Sequence, residues 1–357
     1  MFIYIHLPFC LSRCIYCDFY VSLRSTPQKR TQYLTALFTE IAERWRGQHL
    51  SPIQTVYFGG GTPALFSATQ IQSILQKLGT YAPYNSQAEI TMELNPERQA
   101  SPLLDYVRAG INRFSMGVQS FQPLELKRLS RIHTVDDVYL CIAQARAAGV
   151  CNISLDFMYG IPTQTLQTWQ HTLQQALQLN IPHLSLYGLQ VEEGTALKNL
   201  VNQGRMPLPP DEDTLNMYTY AQKTLQNHGY VQYEISNWSH PGYSSRHNLN
   251  YWHNAPFWGF GVSAHGYIDS VRYQNPSSLS QYLSRPGVSL VQHGCSKTEK
   301  LENALMLGLR LNKGVFLPDL KQQYGVCVQE HYQELIQKYC ESGLLNLNKG
   351  WLRFTPS

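Results

Sequence analysis

Six short apolar runs recur along the first half of the chain, each followed by a stretch with helical spacing, and this rhythm restricts the fold more than any other feature. The runs are FIYIHLP, TVYFGG, EITMELN, RFSMGVQ, NISLDFM and HLSLYGL. Parallel neighbours need long crossover connections, so repeated strand–helix units predict a parallel sheet in an α/β fold. Six units are fewer than the eight that close a full barrel, so the expected core is an open or partial (β/α)6 barrel. The helix signals agree. Thr26-Pro27 opens a helix with Leu34, Leu37, Phe38, Ile41 and Trp45 in register. Ser67 and Gln70 form a capping box, and Leu166, Trp169, Leu173 and Leu177 share a helical face.

Beyond these units the texture changes. The core barrel is expected over 1–235, followed by an aromatic-rich connecting segment over 236–296. Residues 297–357 read as three helices and a hairpin turning at Asn348-Lys349-Gly350, a winged-helix-like α+β domain. Its eight Lys/Arg against six Asp/Glu give too weak a basic footprint for nucleic acid. The whole chain, with a net charge of +4, gives no ground for a polyanionic partner either. No run is long and apolar enough for a membrane span, and the apolar start lacks a basic n-region, so a cytoplasmic location is expected.

Chemistry collects where the runs end. The first leads into CLSRCIYC, with Cys10, Cys14 and Cys17, and the second ends in GGGTP. The next four carry Glu93, Gln119, Asp156 and Gln190. In a parallel barrel all these ends face one mouth, where active sites are built. Taken singly, each feature has a plain explanation. Three cysteines could bind zinc with Asp18 or His6 as fourth ligand, GGG could be only a turn, a terminal acid could cap a helix, and Arg131 could be a surface cation. The five scattered cysteines read as buried apolar residues.

Together, C-x3-C-x2-C and GGGTP resemble the radical S-adenosylmethionine superfamily, and the later motifs resemble its coproporphyrinogen dehydrogenase/HemW branch over nearly the whole chain. The resemblance implies that Cys10, Cys14 and Cys17 hold a [4Fe–4S] cluster, leaving one iron for S-adenosylmethionine and a route to a 5′-deoxyadenosyl radical. It implies that Tyr4 and Tyr16 line the pocket and that Gly60, Gly61 and Thr62 hug the methionine end. It further implies that Glu93, Gln119, Asp156 and Gln190 contact the cofactor and that Arg131 pairs with its carboxylate.

Within the branch, one sibling oxidatively decarboxylates coproporphyrinogen III and the other, the HemW type, is a haem chaperone. The chain reads Cys17-Asp18-Phe19 where the dehydrogenase has Cys-x-Cys, and only nine residues precede Cys10. SRHNLNYW matches the HNxxYW signature of the chaperones. The resemblance therefore implies haem as ligand, with His247 as its contact and His253 and His265 as weaker candidates. As a residue alone, a histidine among aromatics such as His247 is more often a hydrogen-bonded core residue. The implied recipients are apo-haemoproteins, membrane respiratory proteins among them. No catalytic residue is assigned, and the alternatives are coproporphyrinogen decarboxylation or radical chemistry on another substrate. GFGVSAHG departs from the glycine-richer family form, which leaves the part played by His265 open.

Overall fold

A computed structural model describes residues 1–23, 25–97 and 101–355. Each apolar run forms a strand: β1 (Phe2–Leu7), β2 (Ile53–Gly60), β3 (Tyr84–Leu94), β4 (Arg113–Gln119), β5 (Ile153–Tyr159) and β6 (His183–Gly188). Each pairs in parallel with the next. Helices cover the outer face. The helix Pro27–Arg44 starts where Thr26 accepts from the Lys29 N–H, and Ala68–Gly79 starts at the Ser67–Gln70 capping box. In the helix Leu166–Gln178, Trp169 and Leu173 are buried, whereas Leu166 in the first turn is exposed.

Residues alternate sides along a strand, and here the alternation is chemical. Ile3, Ile5, Val56, Phe58, Ile90, Met92, Phe114, Met116, Leu155, Phe157, Leu184 and Leu186 form the core under the helices. The opposite set, including Thr55, Tyr57, Thr91, Glu93, Ser115, Ser154, Asp156, His183 and Ser185, faces inward. A barrel interior is commonly filled by branched apolar side chains. This one is polar and aromatic.

The 236–296 stretch is not simply a connector. The strands β7 (Val231–Glu234) and β8 (Asn237–Ser239) extend the sheet antiparallel beyond β6. The strand β9 (Trp258–Phe260) pairs in parallel with β1. The sheet order is β7-β8-β6-β5-β4-β3-β2-β1-β9, a partial barrel with β7 and β9 at its edges. Between β8 and β9 runs a short helix, Arg246–Trp252, that carries the HNxxYW motif. Its first two N–H groups, of Arg246 and His247, donate to the Glu89 carboxylate at 3.1 and 3.0 Å. Glu89 lies near the start of the paired part of β3, so the helix plugs the amino end of the barrel, opposite the mouth.

The rest of the segment is tied down by the buried Glu40 of the first helix. Its carboxylate accepts from the Gly261 N–H (2.8 Å), the Tyr282 hydroxyl (2.7 Å), Asn275 Nδ2 (2.6 Å) and Arg44 Nε (2.9 Å). The strands β10 (His265–Ile268), β11 (Val271–Gln274) and β12 (Val291–Gly294) form a separate small sheet. The C-terminal region has its own apolar core around Leu301, Leu320, Val328 and Leu352, and a sheet of β13 (Val315–Phe316), β14 (Leu345–Asn348) and β15 (Trp351–Phe354). Lys349 and Gly350 both adopt positive φ, as a two-residue type I′ hairpin requires.

Candidate functional site

The loop after β1 is pinned at both ends and near its middle. The Cys10 N–H donates to Ser22 O at 3.1 Å, and the Ser22 N–H donates to Pro8 O at 2.7 Å. The Cys17 N–H folds back on Cys14 O at 3.2 Å, and the Leu197 N–H, from beyond β6, clamps Ile15 O at 2.8 Å. All three thiols are free and open onto one cavity of about 390 Å³ at the carboxyl ends of the strands. Burial pushes the Cys10 thiol up to about 11 and also raises Cys17. Buried thiolates need a cation, and a bound metal supplies one.

The glycine run forms the adjoining wall. Gly60 has φ +110° and faces the His6 ring, which a Cβ would meet at 2.7 Å. A Cβ on Gly61 would stand 2.6 Å from Phe9 O. The Gly61 N–H donates to Leu7 O (2.9 Å) and the Thr62 N–H to Phe9 O (2.8 Å), holding GGGTP against the cysteine loop. The Thr62 hydroxyl points to Cys10 Sγ at 3.6 Å and accepts from Asn95 Nδ2 at 3.0 Å.

Two carboxylates share the floor. Glu93 accepts from the Tyr57 hydroxyl at 2.9 Å. Burial raises it to about 7 against the pull of that bond, and the nearby Asp156 charge adds to the rise. Asp156, raised by burial, is held by the hydroxyls of Ser115 (2.9 Å) and Ser154 (3.2 Å). Like charges kept close in a buried site favour a cationic ligand. Gln119 reaches the same cavity at a register shift in β4, with φ +68°, a strained backbone of the kind stored at functional sites. Arg131 brings its guanidinium to the cluster loop, with Nη1 3.4 Å from Cys14 Sγ and Nη2 donating to Gly117 O at 2.8 Å.

Cys10, Cys14, Cys17, Tyr16, Gly60, Gly61, Thr62, Glu93, Gln119, Arg131 and Asp156 thus line one cavity. Tyr4 and Gln190 are not among its lining residues. The Tyr4 ring lies behind Tyr57, with centroids 6.2 Å apart, and its hydroxyl bonds His6 Nδ1 at 3.1 Å. The other His6 nitrogen meets Tyr20 O at 3.0 Å, so both ring nitrogens are engaged, and Asp18 is exposed. Among the described residues, no three His, Cys, Asp or Glu side chains converge on a single-ion site.

Tyr57, Ser115, Met158 and Tyr187 also line the cavity, unanticipated from the sequence. Period-two spacing could have found Ser115, which pairs with Glu93 across β3 and β4. The donor set fits a cluster with its cofactor: three thiols, a wall without Cβ atoms, two acids for a cationic ligand and one fixed guanidinium.

His247 sits at the far end of the barrel, buried in the plug. Its Nδ1 meets Thr55 Oγ1 at 2.7 Å and its Nε2 meets the Tyr251 hydroxyl at 2.8 Å. Burial lowers it to about 3, so the ring is neutral. In this arrangement it is a hydrogen-bonded core histidine. His253 and His265 are exposed.

The model of the radical SAM superfamily matches residues 4–176, and that of the HemN C-terminal domain matches 295–357. The heme chaperone HemW of Bacillus subtilis is 35% identical over 96% of this chain and 92% of its own length. The chain belongs to the HemW family. Escherichia coli HemW is 38% identical, over 74% of this chain and 70% of its own. A mouse relative, mitochondrial radical S-adenosyl methionine domain-containing protein 1, is 33% identical over 88% of this chain and 74% of that protein. The solved coproporphyrinogen III oxidase (HemN) of E. coli superposes with a TM-score of 0.84 at 23% identity, over 99% of this chain and 86% of that one. That is a likeness of fold, and it supports the partial barrel with its C-terminal domain. As a radical SAM protein, this HemW-family chain uses a [4Fe–4S] cluster and S-adenosylmethionine. Among the described residues, no helix is long and apolar enough to cross a membrane.

Proposed function

We propose that this protein binds haem and passes it to apo-haemoproteins, with Cys10, Cys14 and Cys17 holding the cluster and the adjoining cavity holding S-adenosylmethionine. The observation that carries this reading is the near full-length relationship to chaperones named for haem, together with the HNxxYW helix built into the barrel. When bound, the cluster and cofactor supply one-electron chemistry and the potential for a carbon radical. The chain's own residues position and shield. Gly60 and Gly61 let the GGGTP segment pack against His6 and the cysteine loop, which brings the cavity wall close to the cluster ligands. Glu93 and Asp156 oppose its positive groups, and Gln119 adds a neutral polar contact. The Arg131 fork is aimed at Cys14 and the cluster, leaving it within reach of a carboxylate.

For haem, the proposed contact is His247, which requires the plug helix to release its bonds to Thr55 and Tyr251. The recipients proposed are apo-haemoproteins, with membrane respiratory proteins among them, reached by peripheral approach from the cytoplasm. The test is an anaerobic haem titration of cluster-reconstituted protein, followed by absorbance, for the parent and His247→Ala. Near-stoichiometric binding that weakens in the variant supports the reading. Absence of saturable binding in the parent sinks it, and turnover of coproporphyrinogen III would then put the protein with the decarboxylating siblings.

A further inference from the structure

The cofactor cavity and the HNxxYW helix are separated by one side chain. Tyr57 lines the cavity and donates its hydroxyl to Glu93 at 2.9 Å. Its ring also stacks on His247, with centroids 5.0 Å apart and planes at 25°. His247 in turn bonds Thr55, which lies two residues before Tyr57 on the same face of β2. The floor of one site is therefore the ceiling of the other.

A second, independent chain of contacts runs from the cavity to the same helix. Ser154 Oγ bonds the Asp156 carboxylate at 3.2 Å and His183 Nδ1 at 2.7 Å. His183 Nε2 meets the Tyr233 hydroxyl at 2.8 Å, and that hydroxyl accepts from the Ser245 N–H at 3.3 Å. Ser245 is the N-cap of the plug helix. Both floor carboxylates thus connect to the plug, Glu93 through Tyr57 and Asp156 through Ser154, His183 and Tyr233.

The plug is suited to having two states. It has only seven residues, too few to be stable as an isolated helix. Its stability comes from contacts to the barrel: the Glu89 carboxylate at its start, Arg246 to Gln87 O and Gln54, Ser245 to Tyr233, the bonds of His247 and the stack on Tyr57.

We propose that Tyr57 is a positioning residue that links the two sites, so that filling the cavity with S-adenosylmethionine tightens the plug and opening the plug weakens the cofactor. A cationic ligand beside Glu93 keeps that carboxylate charged, and a charged acceptor strengthens the hydroxyl bond that holds the Tyr57 ring over His247. Coupling of this kind is reciprocal for binding free energies. Its extension to haem rests on the reading above: a ligand that must free His247 then competes with S-adenosylmethionine without sharing its site.

The decisive measurement is amide hydrogen exchange over 246–252 in cluster-reconstituted protein, with and without saturating S-adenosylmethionine, for the parent and Tyr57→Phe. Exchange reports local opening directly. In the parent the cofactor is expected to slow exchange in this helix about tenfold, a typical coupling magnitude. Tyr57→Phe keeps the stacked ring, and at a cofactor concentration shown by equilibrium dialysis to saturate the variant the slowing is lost. A structural role alone would speed exchange equally with and without cofactor. Thr55→Val loosens His247 from the side remote from the cavity and by reciprocity should weaken S-adenosylmethionine binding several-fold. No cofactor-dependent change in the parent, the same change in Tyr57→Phe, or unaltered cofactor affinity in Thr55→Val would each overturn the proposal. Loss of haem binding in the parent would instead overturn the chaperone reading and leave this linkage standing.

Discussion

Arg131 Nη1 lies 3.4 Å from the sulfur of Cys14, which sets a fixed positive charge against a proposed cluster ligand. Its Nη2 is anchored by Asn95 at 2.6 Å and by Gly117 O, so the charge cannot swing away without breaking both bonds. A hydrogen bond and a cation beside a ligand sulfur raise a cluster's reduction potential. Arg131→Gln should therefore lower the midpoint potential by tens of millivolts, with Arg131→Lys intermediate. An anaerobic redox titration followed by electron paramagnetic resonance reads this directly, and an unchanged midpoint would remove Arg131 from the electrostatics of the site.

The three loop cysteines should be separable from the rest by iron content. Cys10→Ser, Cys14→Ser and Cys17→Ser should each fall from about four iron atoms per chain to less than about one after reconstitution. Cys151→Ser, at an exposed thiol far along the sequence, should match the parent. Full iron retention in any one of the three loop variants would point to a different ligand set.

Gly61→Ala tests the contact between GGGTP and the cysteine loop. The added methyl would meet backbone on the opposite segment, Phe9 O at 2.6 Å and Pro8 C at 2.8 Å, and neither is the end of a flexible side chain. Overpacking of this kind costs about 1–3 kcal/mol. The cost should appear as a lower urea midpoint together with weaker cofactor binding. Gly294→Ala, with open space around its Cβ position, is the control and should leave both unchanged.

Glu93 predicts a pH dependence of definite sign. Its carboxyl is raised from 4.5 to about 7, chiefly by burial. A cationic ligand prefers the carboxylate, so S-adenosylmethionine affinity should fall as pH drops below about 7, measured by equilibrium dialysis between pH 6 and 8. Stability of the cofactor-free protein runs the other way. A carboxyl whose pKa is higher folded than unfolded favours the fold below pH 4.5 and loses that contribution as pH rises to about 7. At pH 8, Glu93→Gln should then be more stable than the parent, by no more than about 3.5 kcal/mol. An affinity flat with pH, or a variant less stable than the parent at pH 8, would contradict this account.

Much of the site was legible because strand ends in a parallel sheet share one mouth whatever their distance in sequence. Cys10, Gly60, Glu93, Gln119 and Asp156 could be grouped on that ground before any coordinates. The helix starts at Thr26 and Ser67 were equally plain, since caps are local. Tyr57 was not legible, because a tyrosine in TVYFGG reads as an ordinary strand residue until its partners on both sides are known. Tyr4 falls one layer behind the cavity for a related reason, with Tyr57 standing between. The plug was hidden for another. His247 is buried by Thr55, Tyr57 and Glu89 of distant strands, and no local periodicity reports such partners. The same limit concealed β9, three residues long and paired to the first strand of the chain.

That last pairing gives the molecule an order of assembly. Ile3 and Ile5 precede one neighbour of their strand, Trp258 to Phe260, by 255 residues of synthesis. At about 5–20 residues per second, the interval is roughly ten seconds to a minute. Throughout it, the strand that leads into the cysteine loop keeps an unpaired edge. The closing of that edge, and of the Glu40 knot that holds Gly261 beside it, therefore comes late, after all six parallel strands have been made.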